Sequence, residues 1–168
     1  SCAKALSSAY LPISAMLMHD DMYQALLDQS RAIGTFGHGF TYSAHPVAAA
    51  VAIETLKIYE ERNIIGHVRR VAPHFLKRLR ALREHPLVGE ADGVGLLGGV
   101  ELVADKATKR NFSPDKGVAT NCSAFAQEEG IFTRGMLSDR LGFCPPLIIT
   151  EAEIDEMFDR FVRALDKT

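Results

Sequence analysis

Ser1-Cys2-Ala3-Lys4-Ala5-Leu6-Ser7-Ser8-Ala9-Tyr10-Leu11-Pro12 sets one lysine among small, mostly uncharged residues. The next lysine or arginine is Arg31, so Lys4 does not belong to a local basic surface. Small neighbours let other groups approach the backbone closely. An amine in such a place can be desolvated, which lowers its pKa and frees its lone pair to attack a carbonyl. The plainer reading is a surface lysine near the start of the chain. The chain begins at Ser1 with neither an initiator methionine nor a leader, and is expected to be a piece of a longer one.

Bulk composition narrows the classes. The 168 residues suit one ordinary domain or two small ones. The composition, 47% hydrophobic and 24% charged, is that of a globular protein. With 19 basic and 21 acidic residues the net charge is −2, which leaves no electrostatic footprint for nucleic acid or a membrane surface. Cys2, Cys122 and Cys144 are odd in number and scattered. They fit a reducing compartment, and a cytoplasmic location is expected. No apolar run approaches a membrane span.

Outward from the lysine, Ile13 to Met18 reads as a short buried strand. Asp20 is placed to cap a helix over Met22 to Ser30. Gly34-Thr35-Phe36-Gly37-His38-Gly39-Phe40-Thr41-Tyr42-Ser43 has neither helical nor strand period and reads as a loop built for close backbone approach. Pro46 opens a helix to about Glu61. Asn63 can cap a second, with Ile64, Val68, Val71, Phe75, Leu79 and Leu82 on one face, which Pro73 is expected to kink or split. Its many arginines read as a solvated face or, more sharply, an anion patch.

Strands are then expected over Val88 to Asp92 and Leu96 to Val103. An exposed loop follows over Asp105 to Asp115, then a helix from Lys116 to Glu129 ended by Gly130. Short strands follow at Ile131 to Arg134 and Leu141 to Cys144, before Pro145-Pro146 breaks the ladder. Thr150-Glu151-Ala152-Glu153 is a capping box. It opens a last helix with Ile154, Met157, Phe158, Phe161, Val162 and Leu165 as its stripe. Reading the seam in the long helix, residues 1–62 form an incomplete α/β unit, 63–86 a linking helix and 87–168 a small α/β domain.

Several motifs compete for the chemistry. Gly93-Val94-Gly95-Leu96-Leu97-Gly98 matches G-x-G-x-x-G, but a strand-like run follows where a dinucleotide site needs a helix. Its glycines read as a bend or bulge. The six histidines show no zinc spacing, so no metal is expected. Arg134, at the end of a short strand beside Gly135, can pair bidentately with a substrate carboxylate or serve as a surface ion pair. Thr41, near Gly37 and Gly39, can bind phosphate oxygens or help cap the helix after it.

Together these stretches resemble class III aminotransferases, fold-type-I enzymes dependent on pyridoxal 5′-phosphate. Ala3 to Ala15 resembles their lysine segment. Gly39-Phe40-Thr41-Tyr42-Ser43-Ala44-His45-Pro46 resembles their second signature. Gly95 to Leu102 resembles the first strand region of their C-terminal domain. Arg134, followed by Cys144-Pro145-Pro146-Leu147-Ile148-Ile149-Thr150, resembles their closing segment. The likeness is colinear over essentially the whole chain and is nearest to the ω-amino acid:pyruvate branch.

The resemblance implies an α/β fold: the end of a large cofactor domain plus the small C-terminal domain. It implies that Lys4 forms the Schiff base with the cofactor and then moves a proton. Thr41, with Phe40 beside it, would bind the cofactor phosphate across a homodimer with shared sites. Arg134 would hold the substrate carboxylate. The activity implied is transfer of an amino group from an amine or ω-amino acid to a small 2-oxo acid such as pyruvate. The family's ring-protonating aspartate and phosphate loop cannot be assigned in this stretch, so the piece alone is expected to be inactive. The alternative is a non-catalytic interaction or dimerisation module derived from such an enzyme.

Overall fold

Alternation in two short stretches builds the sheet of the second half of the chain. In Leu97–Leu102, Gly98, Val100 and Leu102 are buried; in Arg140–Phe143, Leu141 and Phe143 are buried. Side chains alternate across a strand, so these residues turn one face inward. The computed structural model describes residues 1–136 and 138–168, and they group into two units, Ser1–Asn63 and Ile64–Thr168.

In the first unit, β1 (Cys2–Ala3) pairs antiparallel with β2 (Ser14–Ala15), Cys2 opposite Ala15 and Ala3 opposite Ser14. The expected strand Ile13 to Met18 shrinks to these two residues, and Met16 and Leu17 after them are 68% and 77% exposed. Helix α1 covers Asp20–Ile33, longer than expected at both ends. His19, not Asp20, stands at its cap and accepts the Asp21 N–H on Nδ1 at 3.4 Å; Asp20 is the first helical residue. Helix α2 covers Pro46–Glu61, with Pro46 in its first turn as the sequence suggests. The buried residues of this unit are Ser7, Ala48, Ala52 and Thr55.

The second unit opens with α3 (Ile64–Ala81). Pro73 does not split it. The residue is exposed, and so is Arg69, whose carbonyl loses its helical donor and can turn to water. β3 (Val88–Val94), β4 (Leu97–Leu102), β5 (Arg134–Met136) and β6 (Arg140–Phe143) form an antiparallel sheet in the order β3-β4-β6-β5. The register shifts between Val88 and Glu90, and this bulge lets Val88 and Ala91, three apart, both point inward. The strand expected at Ile131 to Arg134 begins only at Arg134. Helix α4 (Val118–Glu128) starts after a 3₁₀ turn at Pro114–Lys116 and Gly117, two residues later than expected. The capping box of α5 (Glu151–Asp166) is formed, with Thr150 and Glu153 bonded reciprocally.

Phe75 and Leu79 of α3 and Phe143 of β6 meet Phe158 and Phe161 of α5 in one core. Phe143 stacks edge-on against Phe161 with centroids 4.8 Å apart, and Phe158 lies 5.4 Å from Phe75. Three arginines of α3 and the turn after it are ion-paired: Arg80 with Asp92, Arg83 with Glu90, and Arg78 with Asp155 and Asp159. Glu129, just past α4, clasps α5 by accepting from Arg163 Nε at 2.7 Å and Lys167 Nζ at 2.6 Å. Lys167 first, then Arg163, holds its carboxyl down at about 2.

Candidate active site

Lys4 opens a 3₁₀ turn, Lys4–Leu6, with its backbone at φ +53. Ser8 and Ala9 follow at +49 and +63. Left-handed backbone costs an L-residue about 1–2 kcal/mol, so neighbouring bonds must hold it. The Lys4 carbonyl accepts the N–H of Ser7 at 3.2 Å and of Ala9 at 3.4 Å. Ser7, 1% exposed, donates its hydroxyl to the Leu11 carbonyl at 2.6 Å. The Tyr59 hydroxyl of α2 donates to the Ala5 carbonyl at 3.1 Å. The lysine backbone is therefore tied down while its side chain is exposed.

The glycine loop presents the other residues of this unit. Phe40 N–H donates to Ser43 Oγ at 3.2 Å, and Ser43 N–H donates to the Phe40 carbonyl at 2.9 Å. These two bonds close a turn with Thr41 and Tyr42 at its tip, both exposed. Ala44 leaves it at φ +57, and the chain enters α2 at Pro46. A Cβ on Gly37 or Gly39 would meet nothing within 4 Å, so room remains beside the turn. Phe40 is 73% exposed, its ring edge-on to His38 at 5.2 Å.

A cavity of about 620 Å³ lies between Pro12, Ile13 and Ser14 and the segment Phe40 to Ala49. Ser14 is the strand partner of Ala3, the residue before Lys4. The structure therefore joins the lysine segment and the glycine loop around one opening. Phe40 lines it directly; Lys4 and Thr41 do not.

Arg134 belongs to the second unit. It is the first residue of edge strand β5, opposite Gly142, and is exposed. Among the described residues no carboxylate pairs with its guanidinium. Gly135 beside it lies where a Cβ would press on the Ala119 carbonyl at 3.3 Å, which fixes how β5 meets α4. The G-x-G-x-x-G match is a hairpin link: Gly95, at φ +61, turns β3 into β4, and no helix follows. Among the described residues no three His, Cys, Asp or Glu side chains group to hold a metal.

Sequence reasoning missed three supporting residues, Ser7, Ser43 and Tyr59. Ser7 and Ser43 are short polar residues in loops, a type that bonds nearby backbone. Tyr59 had no signal, since its partner lies 54 residues away.

Known proteins are similar to this chain over its whole length or nearly so. A tomato (Solanum lycopersicum) protein named gamma aminobutyrate transaminase 3, chloroplastic, is 44% identical over 168 residues, covering 100% of this chain and 32% of its own. A rice (Oryza sativa subsp. indica) protein named probable gamma-aminobutyrate transaminase 3, mitochondrial, is also 44% identical, over 33% of its length. A solved structure described as "Transaminase with L-ala" is 47% identical with a TM-score of 0.92, covering 98% of this chain and 39% of that one. The PMP-bound form of an aminotransferase from Vibrio fluvialis is 36% identical with a TM-score of 0.92, covering 98% of this chain and 36% of that one. The chain thus spans about a third of the length of the curated relatives it matches. Because the class-III aminotransferase family model matches residues 1–165, the chain belongs to the class-III aminotransferases, a family dependent on pyridoxal 5′-phosphate.

Proposed function

We propose that the protein carrying this chain moves an amino group from an amine or ω-amino acid to a small 2-oxo acid such as pyruvate. Residues 1–62 close the large cofactor domain, 63–86 form the linking helix, and 87–168 form the small C-terminal domain. The observation that carries this reading is the first unit itself. A tied-down backbone offers the exposed Lys4 amine and a glycine-flanked turn offers Thr41, and the segments that carry them meet at one opening, through Ser14 opposite Ala3 and through Phe40. The plant relatives' names support an ω-amino acid as the donor.

The donor set fits pyridoxal phosphate. Lys4 supplies a primary amine that can condense with an aldehyde. Thr41 supplies a hydroxyl for a phosphate oxygen, and a Cβ at Gly37 or Gly39 would meet nothing within 4 Å. When bound, the cofactor supplies an aldehyde for amines and a ring that withdraws electrons from the substrate Cα. Lys4 Nζ takes the proton from that Cα and returns it on the other side of the transfer. Thr41 Oγ1 would donate to the cofactor phosphate, across the interface of a homodimer with shared sites. The exposed Phe40 ring shields that contact from water. The guanidinium of Arg134 pairs with the carboxylate of one substrate and swings aside for the other. For the compartment we propose the cytoplasm, because free cysteines such as the exposed Cys2 and Cys144 suit a reducing medium. No helix among the described residues is long and apolar enough to cross a membrane. Cell fractionation decides between the cytoplasm and the organelles named for the plant relatives.

The experiment is borohydride reduction of the full-length protein with pyridoxal phosphate, followed by peptide mapping. The reduced adduct is expected on Lys4. An adduct on any other lysine overturns the assignment.

A further inference from the structure

The turn that presents Thr41 is closed by two hydrogen bonds between Phe40 and Ser43, one of them through the Ser43 side chain. Ser43 Oγ accepts the Phe40 N–H at 3.2 Å, and Ser43 N–H donates to the Phe40 carbonyl at 2.9 Å. The second bond is backbone and survives substitution; the first depends on the hydroxyl. The turn has few other restraints. Thr41 and Tyr42 are exposed, and Gly37 and Gly39 before it have open space where a Cβ would stand. At its far end Ala44 sits at φ +57, a conformation that alanine resists. Without the Ser43 hydroxyl, the Phe40 N–H loses its partner and the four-residue turn is held at one bond.

We infer that Ser43 is a positioning residue for the cofactor phosphate, acting through Thr41 by holding the Phe40–Ser43 turn closed. This rests on the reading of Thr41 as a phosphate ligand. Ser43 Oγ is engaged with the Phe40 N–H and contributes order rather than contact. A neutral hydrogen bond of this type sets the scale: Ser43→Ala is expected to weaken cofactor binding about 2- to 10-fold.

The test measures the affinity of pyridoxal phosphate, by fluorescence quenching, for the full-length apoenzyme. The variants are Ser43→Ala, Ser43→Thr, Thr41→Ala and the double variant Ser43→Ala/Thr41→Ala. Pyridoxal without the phosphate is the control ligand. The expected result has four parts. Ser43→Ala weakens pyridoxal phosphate and leaves pyridoxal unchanged. Ser43→Thr, which keeps the hydroxyl, restores the parent affinity. Thr41→Ala weakens the phosphate form. Adding Ser43→Ala to Thr41→Ala produces no further loss, because the residue it acts through is gone.

Parent-like affinity in Ser43→Ala overturns the inference. So does an equal loss for both ligands, which marks a general structural effect, and so does full additivity in the double variant. If Thr41→Ala leaves pyridoxal phosphate affinity unchanged, the phosphate reading itself fails and takes this inference with it. The two failures are therefore separable.

Discussion

Of four glycines in and beside the β3–β4 hairpin, three have each a different reason to be glycine and the fourth has none, and alanine at each distinguishes them. A Cβ on Gly93 would lie 2.2 Å from the Leu97 carbonyl oxygen and 2.9 Å from Gly98 Cα. Both are backbone atoms of the facing strand, so relief requires the strands to part. On Gly98 the new atom would meet Leu79 Cδ2 at 2.7 Å and the Phe75 ring at 3.2 Å, side chains that are fully buried. Gly95 has open space but stands at φ +61. Gly99 has only the Leu141 carbonyl oxygen at 3.9 Å, an ordinary contact.

The expected losses follow. Overpacking puts Gly93→Ala at about 3 kcal/mol and Gly98→Ala at about 2 kcal/mol. The left-handed backbone puts Gly95→Ala at about 1 kcal/mol. Gly99→Ala is neutral or stabilising by up to about 1 kcal/mol, since alanine narrows the unfolded ensemble. In a unit of this size about 1 kcal/mol moves the melting midpoint by roughly 4–8 °C, so Gly93→Ala should melt about 12 °C or more below the parent. Thermal melts of the four variants, followed by circular dichroism, read the order directly. If Gly93→Ala and Gly99→Ala melt within about 2 °C of each other, the close approach of the two strands is not what requires glycine, and the reasoning fails.

The Glu129 clasp makes a pH prediction. Its carboxyl is held at about 2 against an ordinary 4.5, so its contribution is complete above pH 4.5 and is lost as pH falls toward 2. Urea midpoints of the parent and Glu129→Gln should differ most near neutrality and converge below pH 3 to about 2; a gap independent of pH refutes the clasp. Arg134→Ala should raise KM for a carboxylate-bearing substrate by about 10- to 100-fold and leave an amine without a carboxylate unaffected, the scale of a charged hydrogen bond. Equal effects on both substrates remove Arg134 from that role. In hydrogen exchange of residues 1–168, α3, β4 and α5 should be protected well beyond α1, which buries no residue. Comparable protection in α1 would falsify the picture of a first unit with little core of its own.

Much of the second unit was legible in the chain. The stripe Ile64, Val68, Val71, Phe75, Leu79 and the capping box at Thr150 name α3 and α5, because helical period and caps are local properties. The glycines between two strand-like runs read as a bend or bulge, and the strand-like run after Gly98 spoke against a nucleotide cradle, for the same reason. Strand ends were harder. The start of β5 at Arg134 and the bulge at Gly89 depend on which residue faces which across the ladder, and no single stretch contains that information.

By itself the sequence determined the family and the order of the candidate groups, Lys4, Thr41 and Arg134, since these lie in short contiguous patterns. Only the tertiary structure decided how Lys4 is presented. It stands on a left-handed turn, held by buried Ser7 and by Tyr59 from 54 residues away. A residue's exposure depends on what distant segments pack against it. Small neighbours such as Ala3 and Ala5 are equally compatible with a covered amine and an open one, so sequence proximity could name the lysine but not its surroundings.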